Sequence, residues 1–101
     1  MLQLDSAGVY TEYAGNSLNL VFSIPNTTNY NGWKATAVIK KGAETKLIKE
    51  LTVLDKGLKF SLSSTETSDF QGNYVFSIKA LNEGLHFDRY IFIGKFKYLK
   101  V

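Results

Sequence analysis

This sequence predicts an all-β fold of two packed sheets, and three features of the chain predict it. Apolar residues recur at every second position, no long stretch repeats at the helical period, and clusters of turn-forming residues divide the alternating runs at spacings typical of a sandwich. The chain has 101 residues, enough for one core of ordinary size and too few for two. Residues 1–101 are therefore read as a single domain.

Leu2 and Leu4 suggest a short leading strand or arm, and Val9 to Tyr13 a second short strand ending at Ala14-Gly15-Asn16. Leu18, Leu20, Phe22 and Ile24 then point one way, opposite Ser17, Asn19 and Ser23, until Pro25 removes a backbone donor and ends the strand. A polar loop from Asn26 to Gly32 leads into Trp33, which shares a face with Ala35, Ala37 and Ile39, opposite Lys34, Thr36, Val38 and Lys40. Leu47 to Leu54 alternates more weakly, as at a sheet edge wetted on both faces. After the turn Asp55-Lys56-Gly57, Leu58, Phe60 and Leu62 face inward.

Ser63 followed three residues later by Glu66 has the form of a capping box, so one short helical turn is expected there, with Phe70 pinned to the core. Gly72-Asn73 opens a long strand whose inward residues are Tyr74, Phe76, Ile78 and Ala80. Asn82-Glu83-Gly84 makes a hairpin turn, and the last strand runs from about Leu85 to Leu99. Gly94 within it suggests a bulge that lets the inward face change phase. About seven strands in two antiparallel sheets, a Trp opening the third main strand and a Tyr just past the corner Asp69-Phe70-Gln71-Gly72 specify an immunoglobulin-like sandwich.

The composition is that of an ordinary globular domain, 45% apolar and 21% charged, with an unusual share of aromatics in seven Phe, six Tyr and one Trp. There is no Cys, which rules out disulfides and thiolate zinc sites and suits a reducing compartment. Met1-Leu2-Gln3-Leu4-Asp5 lacks the basic start and long apolar run of a signal peptide, and no window is apolar enough to span a bilayer. The net charge of +3 comes from eleven Lys and one Arg against nine carboxylates spread along the chain. A nucleic-acid reader clusters its positive charge and uses Arg; here only Lys95, Lys97 and Lys100 cluster, two of them alternating with Phe96 and Tyr98 as on the wet face of a strand. Neither a nucleic-acid nor a membrane partner is expected.

No constellation for catalysis emerges. His86 is the only imidazole, and the serines near residue 63 lack the Gly-x-Ser-x-Gly context that exposes a nucleophile. Glu12, Glu44, Glu50, Asp55, Glu66 and Glu83 fall on predicted turns and outward faces, and Asp88 and Arg89 are placed to pair with surface neighbours. Gly-rich phosphate loops and calcium-loop spacing are both missing, so no catalytic, cofactor or metal residue is assigned and the chain is read as not an enzyme. Asn26-Thr27-Thr28 matches the glycosylation sequon by chance-level brevity. Tyr30 and Asn31 in the same loop, and Phe87 and Tyr90 of the final hairpin, are the candidate protein-contact residues; the alternative for Tyr30 is that it covers the end of the sandwich.

The runs Ala14-Gly15-Asn16-Ser17-Leu18-Asn19-Leu20-Val21-Phe22, Leu58-Lys59-Phe60-Ser61-Leu62-Ser63 and Asp69-Phe70-Gln71-Gly72-Asn73-Tyr74-Val75-Phe76-Ser77-Ile78, with Trp33 between the first two, resemble the immunoglobulin-like domains of tailed-phage structural proteins. These are the N-terminal domains of upper-baseplate proteins and the base domains of head-fibre and capsid-decorating proteins. The resemblance runs from about Tyr13 to Tyr98. It implies a virion structural protein made in the bacterial cytoplasm, with other virion proteins as partners and room for self-association in the particle. Upper-baseplate proteins continue into long helical or receptor-binding parts, whereas this sequence stops at Val101, so an auxiliary capsid protein bound to the major capsid protein is the first expectation. A tail or baseplate adaptor is the alternative, and a carbohydrate- or receptor-binding module is the rival from a different class.

Overall fold

A computed structural model of the chain describes residues 2–4 and 6–101. Its strands are β1 (Gln3–Leu4), β2 (Val9–Tyr13), β3 (Leu18–Phe22), β4 (Lys34–Lys41), β5 (Glu44–Glu50), β6 (Thr52–Leu54), β7 (Gly57–Leu62), β8 (Gly72–Asn82) and β9 (Phe87–Leu99). One helical turn, α1 (Ser64–Thr67), precedes β8, and a 3-10 turn, Glu83–Leu85, joins β8 to β9. The larger sheet has the order β1-β2-β9-β8-β4-β5 and the smaller one β3-β7-β6. The all-β sandwich expected from the alternation is what forms, and the inward residues of both sheets make one core.

Two details of topology differ from the sequence reading. The described strands number nine rather than about seven, partly because the single strand expected over residues 47–54 is two strands in different sheets. β5 pairs with β4, then Leu51 turns into the core with its amide donating to the carbonyl of Ala35 at 2.9 Å, and β6 pairs with β7. Both β5 and β6 are edge strands of their sheets, as the weak alternation implies, and the chain crosses between layers at Leu51. The second difference is that β2 runs parallel to β9, from Val9 opposite Lys95 to Tyr13 opposite Leu99. Strands from the two ends of the chain have no hairpin to force them antiparallel.

The corner residues behave as the sequence requires. Trp33 is buried and meets the edge of Phe87 at 4.9 Å between ring centroids. The Tyr74 hydroxyl accepts a hydrogen bond from the Gln71 amide at 2.9 Å, which is the tyrosine corner. At α1, the Ser63 hydroxyl accepts from the Glu66 amide at 3.1 Å while the Glu66 carboxylate accepts from the Ser63 amide at 2.9 Å. Both donors of the capping box are thereby satisfied. The buried Thr67 hydroxyl donates to the carbonyl of Asn16 at 2.8 Å, tying the turn to the β2–β3 connection.

Gly94 is not the bulge. Ile78 pairs with Phe92 and Lys79 with Tyr90, so Ile91 is the extra residue and the inward face changes phase there. Before the bulge Phe87 packs on the core, and after it Phe92, Phe96 and Tyr98 do. Gly94 itself pairs regularly with Phe76. Its role is space: a Cβ at this position would lie 2.5 Å from Cζ of Phe92 and 3.2 Å from Cε1 of Phe96. Phe92 is flanked in turn by Tyr10 and Phe22, at centroid distances of 6.2 and 5.2 Å, so its ring has little room to withdraw.

Gly94→Ala is accordingly expected to cost about 1–3 kcal/mol in urea unfolding through overpacking. Tyr74→Phe, which leaves the Gln71 amide without its acceptor, is expected to cost about 1–2 kcal/mol. Equal stability of either variant to the parent chain would contradict these assignments.

Candidate docking surface

The four residues singled out from the sequence fall in different surroundings. Tyr30 is only 3% exposed, and its hydroxyl accepts from the Ile24 amide at 2.8 Å. It closes the end of the sandwich beside Trp33, 6.4 Å away between ring centroids, and is unavailable as an anchor. The physical reason is that the irregular loop after Pro25 must satisfy its backbone donors internally, and the phenol is the acceptor it uses. Asn31 is exposed, its amide donating to the Asn29 side chain at 3.0 Å. Phe87 is half-buried against Trp33 and carries the Arg89 guanidinium over its ring at 5.5 Å. Tyr90, on the opposite face of β9, is 59% exposed with the Lys79 ammonium 5.4 Å from its ring centroid.

Tyr90 belongs to a broader surface that the sequence reading leaves unassigned. On the outer face of the larger sheet, Ile48, Val38, Ser77 and Ile93 are successive cross-strand partners over β5, β4, β8 and β9. The next row is Lys40, Val75, Lys95 and Val9, and on the other side lie Glu50, Thr36, Lys79 and Tyr90. Ile48 and Ile93 are 64% and 66% exposed and Val75 is also open to solvent. An apolar band thus crosses the sheet, bordered by Lys34, Lys40, Lys79, Lys95 and Lys97. Among the described residues Glu50 and Asp88 interrupt that border, and Asp88 is already engaged by Lys79 at 3.1 Å. A signal for it stands in the sequence: β-branched apolar residues occupy outward positions between lysines.

A second polar centre lies at the other end of the sandwich. Glu12, expected on an outward face, is in fact buried, because β2 turns this side chain inward where it pairs with β9. Burial works against its charge, yet its pKa is held below the ordinary carboxylate value by interactions that include hydrogen bonds from the Asn16 side-chain amide and the Tyr13 backbone amide, both 2.9 Å. The nearby Tyr98 hydroxyl is buried with no hydrogen-bond partner among the described residues, and burial together with the charge of Glu12 pushes its pKa upward. Hydrogen bonds from Lys49 to Glu66 and from Lys46 to Asp69 likewise lower those two carboxylates.

His86, in the left-handed region at φ 51, caps the 3-10 turn before β9. Among the described residues no group of three His, Asp or Glu side chains is arranged to hold a metal ion, and no helix is long and apolar enough to cross a membrane. No protein-family model matches the chain, and no curated protein matches it. The chemistry of this surface is therefore read from its own residues.

The depressed carboxylates make a pH prediction. A carboxyl whose pKa is lower folded than unfolded adds stability that is complete above its unfolded value and is lost as pH falls through its folded value. Stability is therefore expected to hold down to the ordinary values of 4.5 for Glu12 and 3.8 for Asp69 and to decline below them. Asn16→Ala, by removing one support of the Glu12 charge, is expected to lower stability at neutral pH and to make the acid decline shallower, measured by urea titrations across pH. An acid limb unchanged in this variant would remove Glu12 from the account.

Proposed function

We propose that this chain is a non-enzymatic docking domain of a tailed-phage particle, an auxiliary subunit that binds the capsid protein through the outer face of its larger sheet. The observation that carries the reading is the apolar band in which Ile48, Val75 and Ile93 stand open to solvent around the half-buried Val38, with lysines at its border. Contiguous exposed apolar area rimmed by polar groups is the common anatomy of a protein contact. The band lies on four hydrogen-bonded strands, so little ordering entropy opposes binding, and the rim lysines favour a partner surface carrying carboxylates. The phage setting is supported by the sequence resemblance, above all the Gly72–Tyr74 corner with its preceding helical turn.

The test is co-sedimentation of the purified chain with expanded capsid shells of the same virion. Saturable binding is expected, and Ile93→Asp and Ile48→Asp are each expected to weaken it by roughly tenfold or more while leaving the circular dichroism spectrum unchanged. Failure to bind shells, or full binding by both variants, would reject the reading. Immunolabelling found at the tail and not the head would move the protein to an adaptor role.

A further inference from the structure

The first half of β9 has an open side. β8 pairs with β9 from Phe87 to Tyr98, but β2 covers only Lys95 to Leu99. Continued backwards, β2 would lie alongside the rest of β9. Instead Gly8, at φ 80, turns the chain, and β1 folds onto the far edge of β2. In the smaller sheet β3 is also an edge: among the described residues no strand lies beside it where a constant-type immunoglobulin sandwich places its first strand. The two sheets approach each other along this seam through Phe22 and Phe92.

A groove of about 430 Å3 lies in the seam, walled by Ile24 and Pro25 beyond β3 and by Phe87, Arg89, Tyr90 and Ile91 of β9. An unpaired strand directs the amide and carbonyl groups of alternate residues sideways, ready to accept another strand. Among the described residues, no loop backbone or side chain hydrogen-bonds to the backbone from Phe87 to Ile93. The groove also contains the only arginine of the chain, Arg89, which has no carboxylate partner among the described residues and is propped over Phe87. Its planar fork suits a carboxylate. Its neighbour Asp88 is turned to the other face, toward Lys79.

We propose that the β9 edge from Phe87 to Ile93 is a strand-addition site for an extended segment of a partner protein, with apolar side chains at alternate positions and a carboxylate placed to meet Arg89. Main-chain hydrogen bonds to the open edge supply the attachment, and the groove with Arg89 supplies the selection. Two copies of this chain joined through the same edge would bring their Arg89 side chains together, which disfavours self-pairing. The bulge at Ile91 restricts the incoming strand to a short register. This site uses the edge backbone of β9 and the seam groove, shares only Tyr90 and Ile93 with the outer-face band, and does not depend on the phage reading.

The experiment is amide exchange and chemical-shift titration of the isotope-labelled full chain with a synthetic peptide about ten residues long, alternating valine and threonine with one central glutamate. In the free chain, amides directed into the seam between residues 87 and 93 are expected to exchange faster than those of residues 95–99, and saturating peptide is expected to slow them by roughly tenfold or more. Arg89→Gln, or glutamine in place of the peptide glutamate, is expected to weaken binding by roughly five- to tenfold. A backbone N-methylated peptide is expected not to bind, and Ile48→Asp to bind as the parent chain does. Equal protection along β9 in the free chain, no response at millimolar peptide, or shifts centred on Ile48 and Val75 would overturn the proposal. Concentration-dependent dimerisation that protects the same amides would replace the partner segment with a second copy.

Discussion

The packing of aromatic rings over Gly94 sets the register on which the rest of this structure depends. Phe76 sits directly across from the glycine, stacks on Phe96 at 4.0 Å and meets Phe60 of the facing sheet edge-on at 6.0 Å. Phe92 and Phe96, two residues to either side of Gly94, lean over the space it leaves. Each such ring pair adds about 0.5–1.5 kcal/mol beyond the area it buries. Sliding β9 by one residue against β8 would set rings against backbone and expel them from the core. With the inner set fixed, alternation alone determines that Val75, Ile93, Lys95 and Lys97 face solvent, so the outer surface follows from the inner packing.

Hydroxyl groups perform a second task in this cysteine-free core. Tyr30 and Tyr74 each bury a ring at one end of the sandwich and use the phenol oxygen to satisfy a backbone donor in an irregular segment, Ile24 in one case and Gln71 in the other. Thr67 does the same work in reverse, donating to the carbonyl of Asn16. Loops that would otherwise need water or regular pairing are thereby fixed to the core. Tyr98 is the exception, since its hydroxyl is enclosed without a partner among the described residues and its contribution is that of a ring packed between Phe70 and Tyr74.

Much of the fold is legible in the sequence because period-two alternation and turn chemistry are local. The inward set Leu58, Phe60 and Leu62 of β7, the capping box at Ser63 and Glu66, and the corner at Tyr74 all lie within a few residues of the groups that define them. The features that escape a sequence reading are non-local. Leu51 marks a crossing between sheets that no short window encodes, the parallel pairing of β2 with β9 joins opposite ends of the chain, and the true bulge at Ile91 is visible only against β8. Tyr30 reads in sequence as either an anchor or a cover for the sandwich end, because a polar loop says nothing of whether its one large ring turns outward or back, and the structure takes the second. The outer-face band is hidden for another reason: Ile48, Val75 and Ile93 are far apart in sequence and become neighbours only through strand order.

The side-by-side course of β2 and β9 has a mechanical meaning. Chain leading into β2 and chain leaving β9 emerge at opposite ends of one five-pair ladder, so tension drawn along the polypeptide first unzips the short β1–β2 hairpin and then pulls β2 and β9 lengthwise past each other. All the ladder's hydrogen bonds then bear load together instead of parting one after another. A subunit tethered at both ends would resist stretching far more than peeling, and its weakest direction would be the one that lifts β1 away sideways.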